Sequence, residues 1–175
     1  SLGTNTTGAN NSALAQNALR NNTGTSNTAV GYQAAYSNTT GYNNIAIGNY
    51  ALDANLTGIE CVAIGREALS NSDANVNTAV GHISLRDNTI GTRNVGFGDR
   101  TLLFNTTGSF NTALGSEALR SNTTGNNNTA AAQFNWTYDG TAPTVTSVSV
   151  PANGIYKVGD TLSFTVNTSE AVTVT

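Results

Sequence analysis

The chain has 175 residues, of which only 10% are charged, with a formal net charge of -3 and a single cysteine. This balance excludes the basic face that a nucleic-acid-binding protein needs. No apolar run is long enough to span a membrane, and one cysteine excludes an internal disulfide framework.

From residue 8 to about residue 132 the chain consists of eight copies of one repeat. The copies are 16 or 17 residues apart and open at Gly8, Gly24, Gly41, Gly58, Ala74, Gly91, Gly108 and Gly125. Positions are counted from the opening residue, so that position 5 is the fifth residue after it. An internal repeat is the first signal from which a fold should be predicted.

Several positions keep one kind of residue. Position 3 is Asn in every copy except the one with Cys61, and position 14 is Asn in six of the eight copies. Position 5 is always Ala or Gly, whereas position 11 is mostly Leu. Positions 4 and 6 are mostly apolar or Thr, as with Ile45 and Ile47.

These positions predict an all-β fold, a parallel β-solenoid or β-roll of about eight coils of 16 to 17 residues. Repeats that contain helices need about 20 residues or more, whereas two short strands fit this length. At ~4.8 Å per coil the rod would be roughly 38 Å long. We expect the Asn side chains at fixed turn positions to hydrogen-bond to the coils above and below.

Alternate residues of a strand point to opposite faces. We expect positions 4, 6 and 11 to point into the core and position 5 to point outward. An outward column of Ala and Gly indicates close packing against another chain or another wall of the same coil. Ala46, Ala63 and Ala79 are therefore candidate self-association residues.

Three copies, NTAVGYQAA (27–35), NNIAIGNYAL (43–52) and NTALGSEAL (111–119), carry a family resemblance. They resemble the head repeats of trimeric autotransporter adhesins, which are left-handed parallel β-rolls with Asn-Ser-Val-Ala-Ile-Gly units. They are also similar to the Asn-Thr-Ala-Val/Ile-Gly repeats of bacterial surface fibres and phage tail fibres. The resemblance covers about residues 1–132 and implies a surface fibre that forms homotrimers and contacts a receptor.

The repeat ends in Phe134, Trp136 and Tyr138, whose large rings we expect to cap the last coil. We therefore predict a solenoid domain over residues 1–139 and a second, short β segment over 140–175. Residues 141–175 are similar to the opening strands of bacterial Ig-like domains in large surface adhesins. The segment covers about 35 residues, whereas a complete sandwich needs about 100.

Such a segment leaves strand edges and half an apolar face uncovered. We therefore expect it to pair with a neighbouring subunit in a head-to-tail filament. The self-association residues predicted there are Val148, Val150, Leu162, Phe164 and Val166. The competing interpretation is that the missing Ig-like strands lie downstream in a longer chain.

Residues that carry chemistry are few. Cys61 replaces an Asn in one turn, and His82 shares a column with Arg66 and Asp99, which indicates a surface charge ladder worth little stability. Arg100 and Glu117 are expected to form a similar pair between coils. Asp139 and Asp160 are weak calcium candidates, since calcium takes six to eight oxygens. We predict no cofactor, no metal and no catalytic site.

The predicted function is that of a non-enzymatic structural or adhesive protein that forms an extracellular fibre by self-association. We expect it on a cell surface, or alternatively in a phage virion as a tail-fibre segment, with a host surface or glycan as a further ligand. Ice or crystal-surface binding stays open because Thr recurs at position 15, interrupted by Leu56 and Asp73. A polysaccharide-processing β-helix would need clustered charged residues in a cleft.

Overall fold

The computed structural model describes residues 3, 5, 7–131, 145–149 and 165–168. The chain divides into two compact units, Ser1–Phe134 and Asn135–Thr175. The predicted boundary after residue 139 and the aromatic cap lie outside the described residues.

The first unit is a parallel β-solenoid, as predicted. Eight strands stack in chain order in one sheet. Each strand occupies positions 4 to 6 and pairs in parallel with the same positions of the next coil, as Ile45 does with Val62. The strands are β1 (Ser12–Leu14), β2 (Thr28–Val30), β3 (Ile45–Ile47), β4 (Val62–Ile64), β5 (Thr78–Val80), β6 (Val95–Phe97), β7 (Thr112–Leu114) and β8 (Thr129–Ala131).

The two faces of this sheet are the reverse of the prediction. Position 5 points into the coil, where Ala46 is fully buried, while its neighbours Ile45 and Ile47 are 39% and 37% exposed. The reason is the thinness of the coil, because the opposite wall lies too close for a large side chain at position 5. A Cβ atom added to Gly96 would lie 2.7 Å from the hydroxyl of Thr101 on that wall.

The second wall of each coil is a series of turns, whereas a second strand was predicted. This turn wall comprises positions 8 to 13. Seven copies have left-handed backbone at both position 9 and position 11, including Leu52 (φ 54°) and Leu69 (φ 51°). The Leu side chains of position 11 are fully buried except that of Leu119, which is partly buried, and with the alanines of position 10 they form the core opposite position 5.

Position 7 turns the chain between the two walls. Its glycines have positive φ, such as 132° at Gly31, and a Cβ there would lie 2.7 Å from the carbonyl carbon of Gly48. Only glycine avoids both the conformational cost and the contact. Ala15 takes this position in the first copy with φ 102°.

Two ladders of buried Asn side chains run along the solenoid, as predicted. At position 3, the Asn27 side chain accepts a hydrogen bond from the Asn44 backbone (3.0 Å) and donates one to Gly41 O (2.9 Å). At position 14, Asn105 Nδ2 donates to Asn88 Oδ1 in the preceding coil at 2.8 Å. These amides satisfy buried backbone groups at the corners, where no strand can do so.

The coil that opens at Gly58 interrupts both ladders, with Cys61 at position 3 and Ser72 at position 14. Because the Ser72 side chain is too short to reach it, the buried Asn55 Oδ1 has no hydrogen-bond partner among the described residues. The Asp73 carboxylate accepts hydrogen bonds from the backbone N–H groups of Thr57 and Gly58, at 2.6 and 3.0 Å. Elsewhere a backbone carbonyl takes that role, as Thr106 O does for Ile90 N–H.

In the second unit the structure describes one pair of antiparallel strands, β9 (Val145–Ser149) and β10 (Thr165–Thr168). Val148 pairs with Val166, and the register shifts between Asn167 and Thr168.

Candidate interaction surfaces

The outer sheet face consists of the side chains at positions 4 and 6 of the eight strands. These two rows run the length of the sheet. Position 6 is apolar in every strand, whereas position 4 is Thr or Ser in five strands and Ile or Val in three. Their exposure reaches 47% at Phe97, 48% at Leu114 and 67% at Leu14. Seven spacings of ~4.8 Å make the face about 34 Å long.

A parallel sheet with one open face is unusual, because such sheets are normally covered on both sides. The turn wall covers the inner face through the buried position 5, as at Ala63 and Ala79. Among residues 7–131 nothing packs over the outer face, whose large side chains keep substantial exposure. A contiguous apolar strip of this kind is typical of an interaction site.

The outer rows were missed from the sequence as a candidate surface because they were assigned to the core. The candidates chosen instead, Ala46, Ala63 and Ala79, are fully buried. They were predicted to pack against another chain or against another wall of the same coil, and in the structure they pack against the other wall of the same coil. The signal that could have identified the face is the pairing of Ala or Gly at position 5 with Leu at position 11, since only that pair fits a thin coil.

The candidates of the second unit are described only in part. Val148 and Val166 are paired backbone neighbours in β9 and β10. Val150, Leu162 and Phe164 lie outside the described residues, as do Asp139 and Asp160.

The predicted charge ladder is present on the turn wall. An Arg66 amino group lies 2.7 Å from His82 Nε2, and His82 Nδ1 lies 2.9 Å from Asp99 Oδ1. Since a guanidinium can only donate, Nε2 accepts and the Nδ1–H group donates to the carboxylate. Arg100 lies 3.6 Å from Glu117, also as predicted. These exposed pairs stabilise the coil stack weakly.

Cys61 interrupts the position 3 ladder but keeps one of its hydrogen bonds. Its Sγ donates to Ala74 O at 3.1 Å, in the place where an Asn amide donates in other coils. Burial raises the pKa of the thiol, which favours the protonated, donating form. Both observations favour a structural role.

The Thr row at position 15 uses its hydroxyls within the solenoid. Thr39 Oγ1 donates to Leu56 O at 2.8 Å, and Thr89 Oγ1 donates to Thr106 O at 3.0 Å. The donors that an ice-binding row would present to water are therefore already engaged.

Within the described ranges, no group of three or more His, Cys, Asp or Glu residues is placed to hold a metal ion. No helix in that part of the chain is long and apolar enough to cross a membrane. Comparisons with protein-family models, with curated proteins and with solved structures gave no significant match.

Proposed function

We propose that this chain is a non-enzymatic structural module of an extracellular fibre and that copies of it associate through their outer sheet faces. The observation that carries the proposal is the open apolar face of an otherwise close-packed parallel sheet. A second copy presents the same two rows and can cover the apolar side chains of position 6, while the Ser and Thr hydroxyls of position 4 would pair across the interface.

The strands of the face alone cover less area than a stable interface needs. About 34 Å by 10 Å of strand gives a footprint on the order of 340 Å², against roughly 800 Å² per partner in a stable interface. Exposed aromatic residues flank the strands and can complete the interface, with Tyr32 at position 8 and Phe110 at position 2. The sheet face would form the apolar centre and the flanking turns the rim.

The test uses a charge at the centre of the face. Ile47→Lys combined with Ile64→Lys should raise the dissociation constant of the oligomer by roughly 100-fold or more, because unpaired charges would be buried. Sedimentation velocity of the full chain measures this. The matched control, Leu56→Lys with Ile90→Lys, changes side chains that are 47% and 68% exposed outside the sheet. It should associate normally, and equal association of both variants, folded by circular dichroism, contradicts the proposal.

A second route to self-association is strand exchange by the second unit, since two strands alone are marginally stable and β9 and β10 each have one edge unpaired among the described residues. Deleting residues 140–175 separates the routes. Association that survives the deletion and is lost with the two lysines assigns assembly to the sheet face. Association lost with the deletion assigns it to strand exchange.

The extracellular location and the adhesive role are part of the same proposal. They are supported by the low charge, the abundance of Asn, Thr and Gly, and the repeat pattern. A virion fibre would have the same properties. Ice binding has less support because the Thr hydroxyls are engaged, and a thermal-hysteresis assay tests it directly.

A further inference from the structure

A surface cavity of about 330 Å³ lies on the turn wall, across the coils that open at Gly41, Gly58 and Ala74. This volume is at the lower end of the range for small-molecule sites. All its lining residues occupy positions 9 to 13, and none belongs to a strand. The cavity is therefore separate from the outer sheet face.

The cavity exists because small side chains interrupt a row of large ones. Position 12 carries Tyr36, Asp53, Ser70 and Arg86 in successive coils, so that Ser70 leaves a gap between longer neighbours. Ala54, at position 13, widens the gap. The regular repeat has thus lost side-chain volume at one place on its surface.

The charges that line the cavity are nearly balanced by their neighbours. Arg86 forms two hydrogen bonds with Asp87, at 2.8 and 2.9 Å, and Glu67 is bonded to Arg66 at 2.8 Å. Asp53 differs, because its carboxylate has no hydrogen-bond partner among the described residues; Oδ1 is buried, so that Oδ2 is the oxygen that can meet a ligand. Burial also raises the pKa of this carboxyl.

An aromatic ring and neutral polar groups complete the lining. The Tyr50 ring is held edge-to-face by Tyr32, with centroids 5.4 Å apart and planes at 83°. Ser70 and Asn71 add a hydroxyl and an amide, each able to donate and accept. The lining therefore offers the Tyr50 ring, the unpaired Asp53 carboxylate as an acceptor, and two groups that can both donate and accept hydrogen bonds.

We propose that this cavity binds one neutral saccharide residue, whose hydroxyl donates to Asp53 and whose ring lies against Tyr50. The unpaired Asp53 carboxylate would repel an anion, and Arg86 is already paired with Asp87. Hydroxyls can donate to Asp53 and accept from Asn71, and the charged probes of the test decide against a cation. The inference deepens the adhesive role proposed above. It does not depend on assembly, because the cavity and the outer sheet face are on different walls.

The test is a titration of the full-length chain, followed by its backbone amide NMR signals, with methyl glycosides of glucose, galactose, mannose and N-acetylglucosamine. At least one should shift the Ala54 and Asn71 signals saturably, with a dissociation constant on the order of 1 mM for a ligand of this size. Glucuronate and 1,4-diaminobutane are the charged probes. If no neutral glycoside binds, or only a charged probe does, the proposal is overturned.

Two variants locate the binding. Ser70→Tyr fills the cavity with the residue that Tyr36 already provides at position 12, and should weaken binding at least tenfold. Ser121→Tyr makes the same change on an exposed part of the turn wall and should leave binding unchanged. Binding that survives Ser70→Tyr overturns the proposal. The Ile47→Lys, Ile64→Lys variant should bind the glycoside normally, so that failure of assembly and failure of this site remain distinguishable.

Discussion

The strand wall, formed by β1 to β8, and the turn wall have the same length but differ in how much their side chains vary. The eight strands use only small, aliphatic or Thr side chains plus Phe97, and every one of them pairs in register with the next. Positions 9, 12 and 13 of the turn wall include Asn, Gln, Tyr, Glu, Arg, Asp, Ser and Leu. One wall thus sets the geometry of the stack, and the other can carry recognition without disturbing it.

The difference follows from where the backbone hydrogen bonds and buried side chains lie. A change at position 5 of the strand wall meets the opposite wall at once, as the contacts at Gly96 show. Position 12 is less enclosed, because most of its side chains are exposed or half-buried and only Ser70 and Leu103 are buried. Substitutions should therefore differ in effect by wall and by position, and four predictions test this in order of decreasing effect.

The largest effect is expected inside the strand wall. Replacing Ala46, Ala63 and Ala79 together by Gln should prevent these coils from folding, since each site is fully buried. Each substitution overpacks the core, which lowers the free energy of unfolding by about 1–3 kcal/mol, and also buries an amide without a partner. Three such changes approach the whole stability of an ordinary domain, roughly 5–15 kcal/mol.

Far-ultraviolet circular dichroism and thermal unfolding measure this loss. The control places Gln at the outward position 4 of the same strands, with Ile45→Gln, Val62→Gln and Thr78→Gln. This variant should keep the spectrum of the solenoid. Equal melting of the two triple variants would show that the inward assignment of position 5 is wrong.

The second prediction concerns the interrupted Asn ladder. Ser72→Asn should supply the donor that the buried Asn55 Oδ1 lacks and raise the free energy of unfolding by about 1–2 kcal/mol. The shorter repeat can accommodate this residue, because the other 16-residue copy has Asn22 at the same position. Urea denaturation provides the measurement.

The reverse change is its control. Asn105→Ser removes the 2.8 Å bond to Asn88 Oδ1 and leaves only the 3.5 Å contact from Asn94. It should lower the free energy of unfolding by about 1–3 kcal/mol. Changes of the same sign in the two variants would contradict a ladder role for position 14.

Much of the fold could be predicted from the sequence because the repeat supplies several independent observations of each position. The period, the strands at positions 4 to 6 and both Asn ladders are present as predicted. Which face of the strand is buried could not be decided from alternation alone, because a three-residue strand with large, small and large side chains fits either orientation. The thickness of the coil decides it, and that is a tertiary property.

One change in side-chain size is matched by another on the opposite wall, and this match can be recognised only once the buried face of the strands is known. Position 10 is Ala in five coils but Ser84 and Thr101 in two adjacent ones, where these hydroxyls are 2.6 Å apart. Gly96 faces them in place of Ala.

The cavity could not be predicted from the sequence either. A drop in side-chain size at positions 12 and 13 has meaning only when those positions are known to be neighbours on the surface.

The third prediction tests the left-handed backbone. Position 2 has positive φ in all eight copies, including Val76 at 59°. A β-branched residue is unfavourable in this region, whereas Asn adopts it readily and occupies the position in Asn10, Asn43 and Asn127. Val76→Asn should therefore stabilise the solenoid by about 1 kcal/mol.

The same substitution on the strand wall provides the comparison. Val80→Asn changes a residue of β5, where Val is favoured and Asn is not, and should destabilise. Thermal melts of the two variants should move in opposite directions. A loss of stability in Val76→Asn would show that packing at this site outweighs its backbone preference.

The smallest effect is expected from two carboxylates of the turn wall, which are only partly buried and are screened by water. Burial raises the pKa of Asp53, and the hydrogen bond from Arg86 lowers the pKa of Asp87, each from an ordinary value of 3.8. The charged form of Asp53 is thus disfavoured by folding, and that of Asp87 is favoured. Asp53→Asn should be more stable than the wild type at pH 7, and Asp87→Asn less stable.

The two differences should disappear over different pH ranges. For Asp53→Asn the gain in stability over the wild type fades as the pH falls through the raised pKa of Asp53 in the folded state towards 3.8. The wild-type carboxyl then becomes neutral in both the folded and the unfolded state. For Asp87→Asn the loss persists to 3.8 and fades only below it, as the pH falls through the lowered folded pKa. Urea denaturation between pH 3 and pH 7 measures both. A shared sign at pH 7 would mean that Asp53 already has a compensating partner, which would also remove the unsatisfied acceptor on which the saccharide site depends.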